Sequence, residues 1–280
     1  MQYLCYGVSN EFTVILTARA RMQTANKLEV HLFPCLSDNY GFLIHDASHD
    51  LTATIDTPEV KPIMHELESK GWHLTHILNT HHHWDHAGGN IEIKNLTGCT
   101  IVGPGGEAGR IPGIDIRLGD GDIFKFGNHQ ARISETAGHT LGHIVYHFEN
   151  DHIAFVGDTL FAMGCGRLFE GSAEQMWDSL QKFLQWPDDT KIYCAHEYTL
   201  KNGEFALTID PQNHLLVDRV NEVKKLRSRN QPTIPTMLGL EKKTNPFLRP
   251  MDTRIRDALG MPQASDVEVF AKIRFLKDSY

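Results

Sequence analysis

The sequence predicts a mixed α/β sandwich that gives way, after His196, to a mainly helical remainder. Three observations predict it. Short apolar segments with strand character recur between Leu28 and Cys194, windows with helical spacing interrupt them, and beyond His196 no stretch of period-two alternation persists. At 280 residues, 41% of them hydrophobic and 22% charged, the chain is long enough for one large core or two domains.

Taken in order, residues 28–32, 41–45 and 51–55 read as strands, broken at Pro34, at Ser37-Asp38-Asn39 and at Ser48-His49-Asp50. Residues 60–70 carry helical spacing and stop at Gly71. A short apolar strand over 76–79 then runs straight into the sequence Thr80-His81-His82-His83-Trp84-Asp85-His86, which therefore sits on a loop at a strand's end. Further strands are predicted at 100–102, 122–126, 131–134, 144–148, 153–156 and 191–194, with a helix over 173–185 whose Met176, Leu180 and Phe183 form a core-facing stripe. Helices follow at 204–209, 216–229 and 252–259; residues 230–249, with Pro232, Pro235 and Pro246, read as an ordered but irregular connection. The texture change places a boundary near Glu197 to Leu200, giving residues 28–197 and 198–280 as two domains.

Residues 1–27 carry Arg19, Arg21 and a single acid, Glu11, a composition shared with transit peptides; they are read as an extension of unassigned role. No apolar run reaches the roughly 20 residues that span a bilayer, so no membrane partner is expected. A net charge of -8 argues against a general nucleic-acid binder, whose affinity rests on clustered Lys and Arg. The five cysteines, Cys5, Cys35, Cys99, Cys165 and Cys194, are odd in number and never spaced as CxxC. Neither a disulfide framework nor a zinc ribbon is signalled, and a reducing cytoplasm is the expected home.

Of 17 histidines, four fall between positions 81 and 86. Alternate residues of an extended segment point the same way, so His81 and His83 can converge on one ion, while Asp85 and His86, as the chain turns toward Ala87-Gly88-Gly89, face a neighbouring point. That arrangement suggests two adjacent metals. Three apolar strands end in a polar tip and offer further donors: His139 in Thr136-Ala137-Gly138-His139-Thr140, Asp158 in Gly157-Asp158-Thr159, and His196 in Cys194-Ala195-His196-Glu197. Taken singly, a strand-end Asp or His serves equally well as a cap or a core hydrogen-bonding group. His82 and His143 are read as structural neighbours, and Trp84 as packing around the site. Gly103-Pro104-Gly105-Gly106-Glu107-Ala108 fits a loose dinucleotide pattern, but Pro112 and Gly113 forbid the helix it would need, so it is read as a loop.

With those residues in view, Thr80-His81-x-His83-x-Asp85-His86-x-Gly88-Gly89, Gly138-His139-Thr140, Gly157-Asp158-Thr159 and His196 together resemble the metallo-β-lactamase superfamily. Leu36-Ser37-Asp38-Asn39-Tyr40, the run Gly164 to Gly171, Ala195-His196-Glu197-Tyr198-Thr199 and Asn245-Pro246-Phe247-Leu248-Arg249 narrow the resemblance to glyoxalase II, the hydroxyacylglutathione hydrolases. The resemblance implies a four-layer αββα sandwich followed by a small, mainly α-helical C-terminal domain. It implies two divalent ions, one held by His81, His83 and His139, the other by Asp85, His86 and His196, with Asp158 bridging them. Zinc is the expected metal, and iron and manganese suit the same donors.

The implied reaction is hydrolysis of S-(2-hydroxyacyl)glutathione, such as S-D-lactoylglutathione, to glutathione and a hydroxy acid such as D-lactate, the second step of methylglyoxal detoxification. A water shared by the ions is the implied nucleophile, with Asp85 and Asp158 as catalytic carboxylates. By the same resemblance Arg167, Tyr198, Arg274 and Lys277 hold the glutathione moiety. The spacing of Arg274 and Lys277 alone would fit an ordinary solvated helix face just as well. The chain has Phe169 where some members have Tyr, which removes a hydroxyl contact. A monomer is expected. A persulfide dioxygenase of the same superfamily is the alternative enzyme, distinguished by lacking an intact second metal site; a non-enzymatic metal-binding protein is the alternative from another class.

Overall fold

The structure, a computed structural model, describes residues 27–280; the extension expected over residues 1–27 lies, apart from Lys27, outside them. Strands β1 (Glu29–Cys35), β2 (Asn39–Asp46) and β3 (Leu51–Ile55) run antiparallel. After helix α1 (Val60–Lys70), β4 (Leu74–Leu78) joins β3 in parallel. Helices α2 (Trp84–Ala87) and α3 (Asn90–Thr97) follow, and β5 (Thr100–Pro104) and β6 (Ile116–Leu118) extend the sheet in the order β1-β2-β3-β4-β5-β6.

A second sheet starts with the antiparallel strands β7 (Ile123–Phe126), β8 (His129–Glu135), β9 (Ile144–Phe148) and β10 (Ile153–Gly157). The short ribbon β11 (Leu160–Phe161) and β12 (Gly164–Cys165) leads to helix α4 (Ala173–Leu184), and β13 (Lys191–Cys194) returns parallel to β10. Helices α5 (Thr199–Ile209) and α6 (His214–Arg227) precede β14 (Thr236–Met237), which pairs with β13 and completes the order β14-β13-β10-β9-β8-β7. Helices α7 (Leu238–Thr244), α8 (Thr253–Ala258) and α9 (Asp266–Asp278) end the chain.

The layering follows from strand alternation. Successive side chains of a strand point to opposite faces, so a strand buried on both faces must be apolar throughout. In β2, Phe42 and Ile44 join the core between the sheets, whereas Leu43 joins a second core under α1 and α3. Leu78 of β4 and Val102 of β5 split from Ile77 and Ile101 in the same way. The sheets meet through aromatic edges, with the ring of Phe42 5.6 Å from both Phe155 and Tyr193. On the far side of the second sheet, α4 presents Met176, Leu180 and Phe183, the stripe read from the sequence. The result is the αββα sandwich the resemblance implies. Each fully buried Leu, Ile or Phe contributes roughly 1.5–3 kcal/mol, so the two cores carry most of the driving force.

Several local readings are corrected. Residues 230–249 are not irregular: they hold β14, α7 and a 3-10 turn, Pro246–Leu248. Pro232 and Pro235 lie ahead of β14, and Pro246 occupies the first position of its turn, where a missing N–H costs nothing. Strand β1 continues through Pro34 because it is the sheet edge, where proline is tolerated. Strand β6 lies outside the predicted strands, since a three-residue edge with exposed Ile116 leaves no periodic signal. The glycine run at 103–106 ends β5 and enters a 3-10 turn rather than a phosphate-binding helix. Trp84 does not pack around the site; its side chain is 70% exposed.

The described cysteines, Cys35, Cys99, Cys165 and Cys194, are free and buried. Burial pushes the thiols of Cys35 and Cys194 up to about 12 and that of Cys165 up to about 11. Among the described residues no helix is long and apolar enough to cross a membrane.

Candidate metal centre

One edge of the sandwich collects strand ends from both sheets. Strand β4 stops at Leu78, and the next residues carry His81 and His83 into α2, which holds Asp85 and His86. The β8–β9 turn supplies His139, the end of β10 supplies Asp158 and the end of β13 supplies His196. Two glycines make this approach possible. Gly138 has φ 149°, and a Cβ there would meet the Met176 Cβ at 2.7 Å; Gly157 has φ 48°, and its Cβ would meet His143 Nε2 at 2.6 Å.

The seven side chains named as metal ligands from the sequence come together. His81 Nε2 and His83 Nδ1 lie 3.0 Å apart, and His83 Nδ1 and His139 Nε2 3.1 Å apart. On the other side, Asp85 Oδ2 lies 3.5 Å from both His86 Nε2 and His196 Nε2. Asp158 faces both groups with different atoms. Its Oδ2 is 3.3 Å from His139 Nε2, while its Oδ1 is 3.3 Å from His196 Nε2 and 3.5 Å from His86 Nε2. His81, His83 and His139 form one group whose donor atoms lie within 4.8 Å of one another, and Asp85, His86 and His196 another.

The chemistry of this donor set fits divalent cations. His86 Nε2 and Asp158 Oδ1 are buried with no hydrogen-bond partner, an arrangement that costs about 1–3 kcal/mol per group unless something else binds there. Burial, reinforced by the neighbouring imidazoles, holds His81 well below the ordinary histidine range and His83 at about 4; burial likewise lowers His139. Their lone pairs are thus free to coordinate. At the second group burial also opposes charge, but Asp158 and Asp56 overcome it and raise His86 to about 9, and Asp158 raises His196. A carboxylate field that draws a proton to these nitrogens draws a cation to the same place. Burial works against ionisation of Asp158, yet the imidazoles of His196 and His86 keep its carboxyl well below the usual range.

The ring nitrogens turned away from the centre are anchored. His86 Nδ1 meets Asp56 Oδ2 at 2.8 Å, His196 Nδ1 meets Asp38 Oδ1 at 2.8 Å, His139 Nδ1 meets the Arg167 carbonyl at 2.8 Å, and His81 Nδ1 meets Thr80 Oγ1 at 3.1 Å. His143 accepts the Asp158 N–H at Nε2, 3.1 Å away, and its Nδ1 lies between the hydroxyls of Thr136 and Thr159. It fixes the backbone of Asp158 instead of ligating. His82 is held by Glu107, 2.7 Å from its Nδ1.

Beside Asp158 and His139 opens a cavity of about 300 Å³ whose walls include Phe161, Cys165, Arg167, Phe169, Tyr198, Lys201, Arg274 and Lys277. All four residues named for glutathione are among them. Arg274 is buried in α9; its Nη1 donates to the Cys165 carbonyl at 2.9 Å and its Nη2 to Asp278 Oδ1 at 2.9 Å. One turn on, Lys277 Nζ donates to the Lys201 carbonyl at 3.3 Å, and burial, then the charges of Arg274 and Lys201, hold it down at about 8. Tyr198 stacks flat on His196 at 4.8 Å between ring centroids. Arg167 lies exposed, its guanidinium 5.9 Å from the Phe169 ring.

Residues 46–196 match the metallo-beta-lactamase superfamily and residues 197–280 match the hydroxyacylglutathione hydrolase C-terminus. The hydroxyacylglutathione hydrolase of Maricaulis maris is 54% identical over 255 residues, covering 91% of this chain and 100% of its own. The chain belongs to the hydroxyacylglutathione hydrolase family. The enzyme of the same name from Rhizobium meliloti is also 54% identical, over 90% of this chain and 99% of its own. Among solved structures, ETHE1 from Myxococcus xanthus superposes with a TM-score of 0.63 over 88% of this chain and 90% of its own, at 24% identity, a likeness of fold alone. The metallo-beta-lactamase fold of this family implies a dinuclear metal site, and the His and Asp clusters are in place for one.

Within this hydroxyacylglutathione hydrolase, sequence reasoning missed the anchoring residues. Asp56 accepts from the Thr80 N–H, the Thr80 hydroxyl and His86, and it ends an apolar strand just as Asp158 does. The same strand-tip criterion would have found it. Asp38 and Asn39 belong to the Leu36-Ser37-Asp38-Asn39-Tyr40 motif, whose pattern alone assigns them no role; Asn39 Nδ2 donates to Asp85 Oδ2 at 3.1 Å.

Proposed function

We propose that this hydroxyacylglutathione hydrolase cleaves S-D-lactoylglutathione to glutathione and D-lactate, the second step of methylglyoxal detoxification, at two zinc ions. One ion would be held by His81, His83 and His139, the other by Asp85, His86 and His196, with Asp158 shared. The observation that carries the reading is the division of Asp158 between the two donor groups at the floor of a cavity lined by Arg274 and Lys277. Two such ions supply an acidified water and a polarised thioester carbonyl.

The chain's own side chains do the rest. Arg274 and Lys277 set the positive end of the cavity, where the glutathionyl carboxylate docks, and Arg167 and Tyr198 close its sides. Asp85, half-exposed and steadied by Asn39, accepts a proton of the attacking water. As the carbonyl carbon gains the water oxygen, the C–S bond breaks and the electron pair leaves on sulfur. A thiol has a pKa near ~8.5, so the thiolate departs without a dedicated acid, in keeping with a cavity whose wall carboxylate, Asp158, is held ionised. Persulfide dioxygenation is disfavoured by the relatives at 54% identity, which are hydroxyacylglutathione hydrolases.

Metal analysis paired with turnover tests the reading. Two zinc ions per chain and S-D-lactoylglutathione hydrolysis are expected, with activity lost on chelation and restored by zinc. Two metals without thioester hydrolysis would overturn the activity and leave the metal assignment standing. Lys277 adds a pH dependence. Its ammonium is present below about 8 and lost above it, so KM is expected to rise as pH climbs through that value. Lys277→Ala should raise KM roughly 10-fold or more at neutral pH, the worth of one charge-assisted hydrogen bond, and abolish the rise. Lys277→Arg should shift the rise beyond the accessible range. A KM flat from pH 7 to 9 in the unaltered enzyme would remove Lys277 from substrate binding.

A further inference from the structure

The donors are braced from different places, and one brace serves only the second group. His86 and His81 are anchored from within the first sheet's own strand ends, through Asp56 and Thr80. Asp85 and His196 are anchored by the β1–β2 turn and the first residue of β2: Asp38 takes His196 Nδ1 at 2.8 Å, and Asn39 donates to Asp85 Oδ2 at 3.1 Å and to its carbonyl at 3.3 Å. That turn is stitched to the end of β13 by backbone bonds, Tyr40 N–H to the Ala195 carbonyl at 2.7 Å and Glu197 N–H to the Asp38 carbonyl at 2.8 Å. The Glu197 side chain then closes the arrangement. Its carboxylate accepts from the Tyr40 hydroxyl, from the Thr233 N–H at 3.0 Å and from the Thr233 hydroxyl at 2.8 Å, with Arg227 Nη1 3.4 Å away. Thr233 belongs to the segment between α6 and β14, far along the chain.

We infer that Glu197, held by Tyr40 and Thr233, is a positioning residue for the second metal: it clamps the segment Asp38-Asn39-Tyr40, where the turn enters β2, against His196 and so sets the placement of Asp85 and His196. Glu197 lies between His196 and Tyr198 in the chain, but its carboxylate bonds to no donor side chain and does not line the substrate cavity. Its effect passes through Asp38 and Asn39. The chain beyond α6 thereby controls occupancy of one half-site and leaves the His81, His83 and His139 group alone. The inference rests on the assignment of Asp85, His86 and His196 to one ion.

The test is stepwise zinc binding by the full chain, measured against a chromophoric chelator, for wild type, Glu197→Gln, Thr233→Val and Thr233→Ser. Wild type is expected to hold two ions. Glu197→Gln and Thr233→Val should weaken the second by up to roughly 10-fold, the low end of what removing a partner bonded directly to a ligand costs, with the first unchanged. Thr233→Ser, which keeps the hydroxyl, should restore wild-type binding. Near-ultraviolet circular dichroism and thermal unfolding of the same samples report on folding. Equal weakening of both ions, in step with a lowered Tm, means a merely structural role and overturns the inference; so does retention of both at wild-type affinity. A wild type that binds one ion overturns the two-metal reading itself, which keeps the two failures apart.

Discussion

Asp158→Asn is expected to leave a folded protein with no more than one tightly held metal and a kcat lowered at least about 1,000-fold. Among the described residues, the carboxylate is the one group whose two oxygens face different donor sets, Oδ2 toward His139 and Oδ1 toward His86 and His196. An amide of the same shape replaces one oxygen by an N–H pair that repels a cation, and it removes the negative charge that balances the site. A loss of several kcal/mol of transition-state charge stabilisation is the scale on which metal ions act, and about 4 kcal/mol corresponds to roughly 1,000-fold in rate. Asp85→Asn should cost less, since Asp85 is partly exposed and faces one group only. Zinc content by elemental analysis beside S-D-lactoylglutathione turnover decides the matter. An Asp158→Asn enzyme with two zinc ions and near-normal kcat would refute the bridging role.

The largest expected loss of stability lies away from the metals, at Glu241 in α7. Glu241 is fully buried and accepts from Arg219, from the Thr236 hydroxyl at 2.7 Å, from the Met163 N–H at 2.8 Å and from Asn245 Nδ2 at 3.2 Å. Glu241→Ala strands the Arg219 guanidinium, itself nearly buried, and removing one partner of such a pair costs about 3–5 kcal/mol. Urea unfolding at fixed zinc concentration measures it, and a cost below about 1 kcal/mol would contradict the account. Replacing both partners with apolar residues should recover much of the loss, because the desolvated charge goes too. Since Met163 precedes β12, whose Cys165 lines the substrate cavity and carries Arg274, the same variant should raise KM as well.

Much of this was legible from residue pattern. Leu51–Ile55, Val60–Lys70, Ile144–Phe148 and Lys191–Cys194 were read with their observed bounds, each being an apolar run or helical stripe flanked by turn residues. The two-residue strands β11, β12 and β14 were not, because they exist only through pairing partners or neighbours that lie outside any local window. The donors were legible for a similar reason: a polar tip on an apolar strand stands out against its flanks. What the spacing could not supply was orientation, such as which Asp158 oxygen faces which imidazole, or that Asp38 and Asp56 back different histidines. Those facts depend on side chains brought together from strands of both sheets and from the segment after α6.

The buried cysteines bear on what this enzyme lives with. Every turnover releases a thiol, and the cell that makes glutathione also holds its disulfide, so a protein with an accessible thiolate would keep acquiring glutathionyl caps. Exchange requires a thiolate that can reach the disulfide. Cys35, Cys165 and Cys194 are packed away with their protons firmly retained, even Cys165, which stands in the wall where the product forms. Among the described residues, the fold thus presents no accessible thiolate to glutathione disulfide.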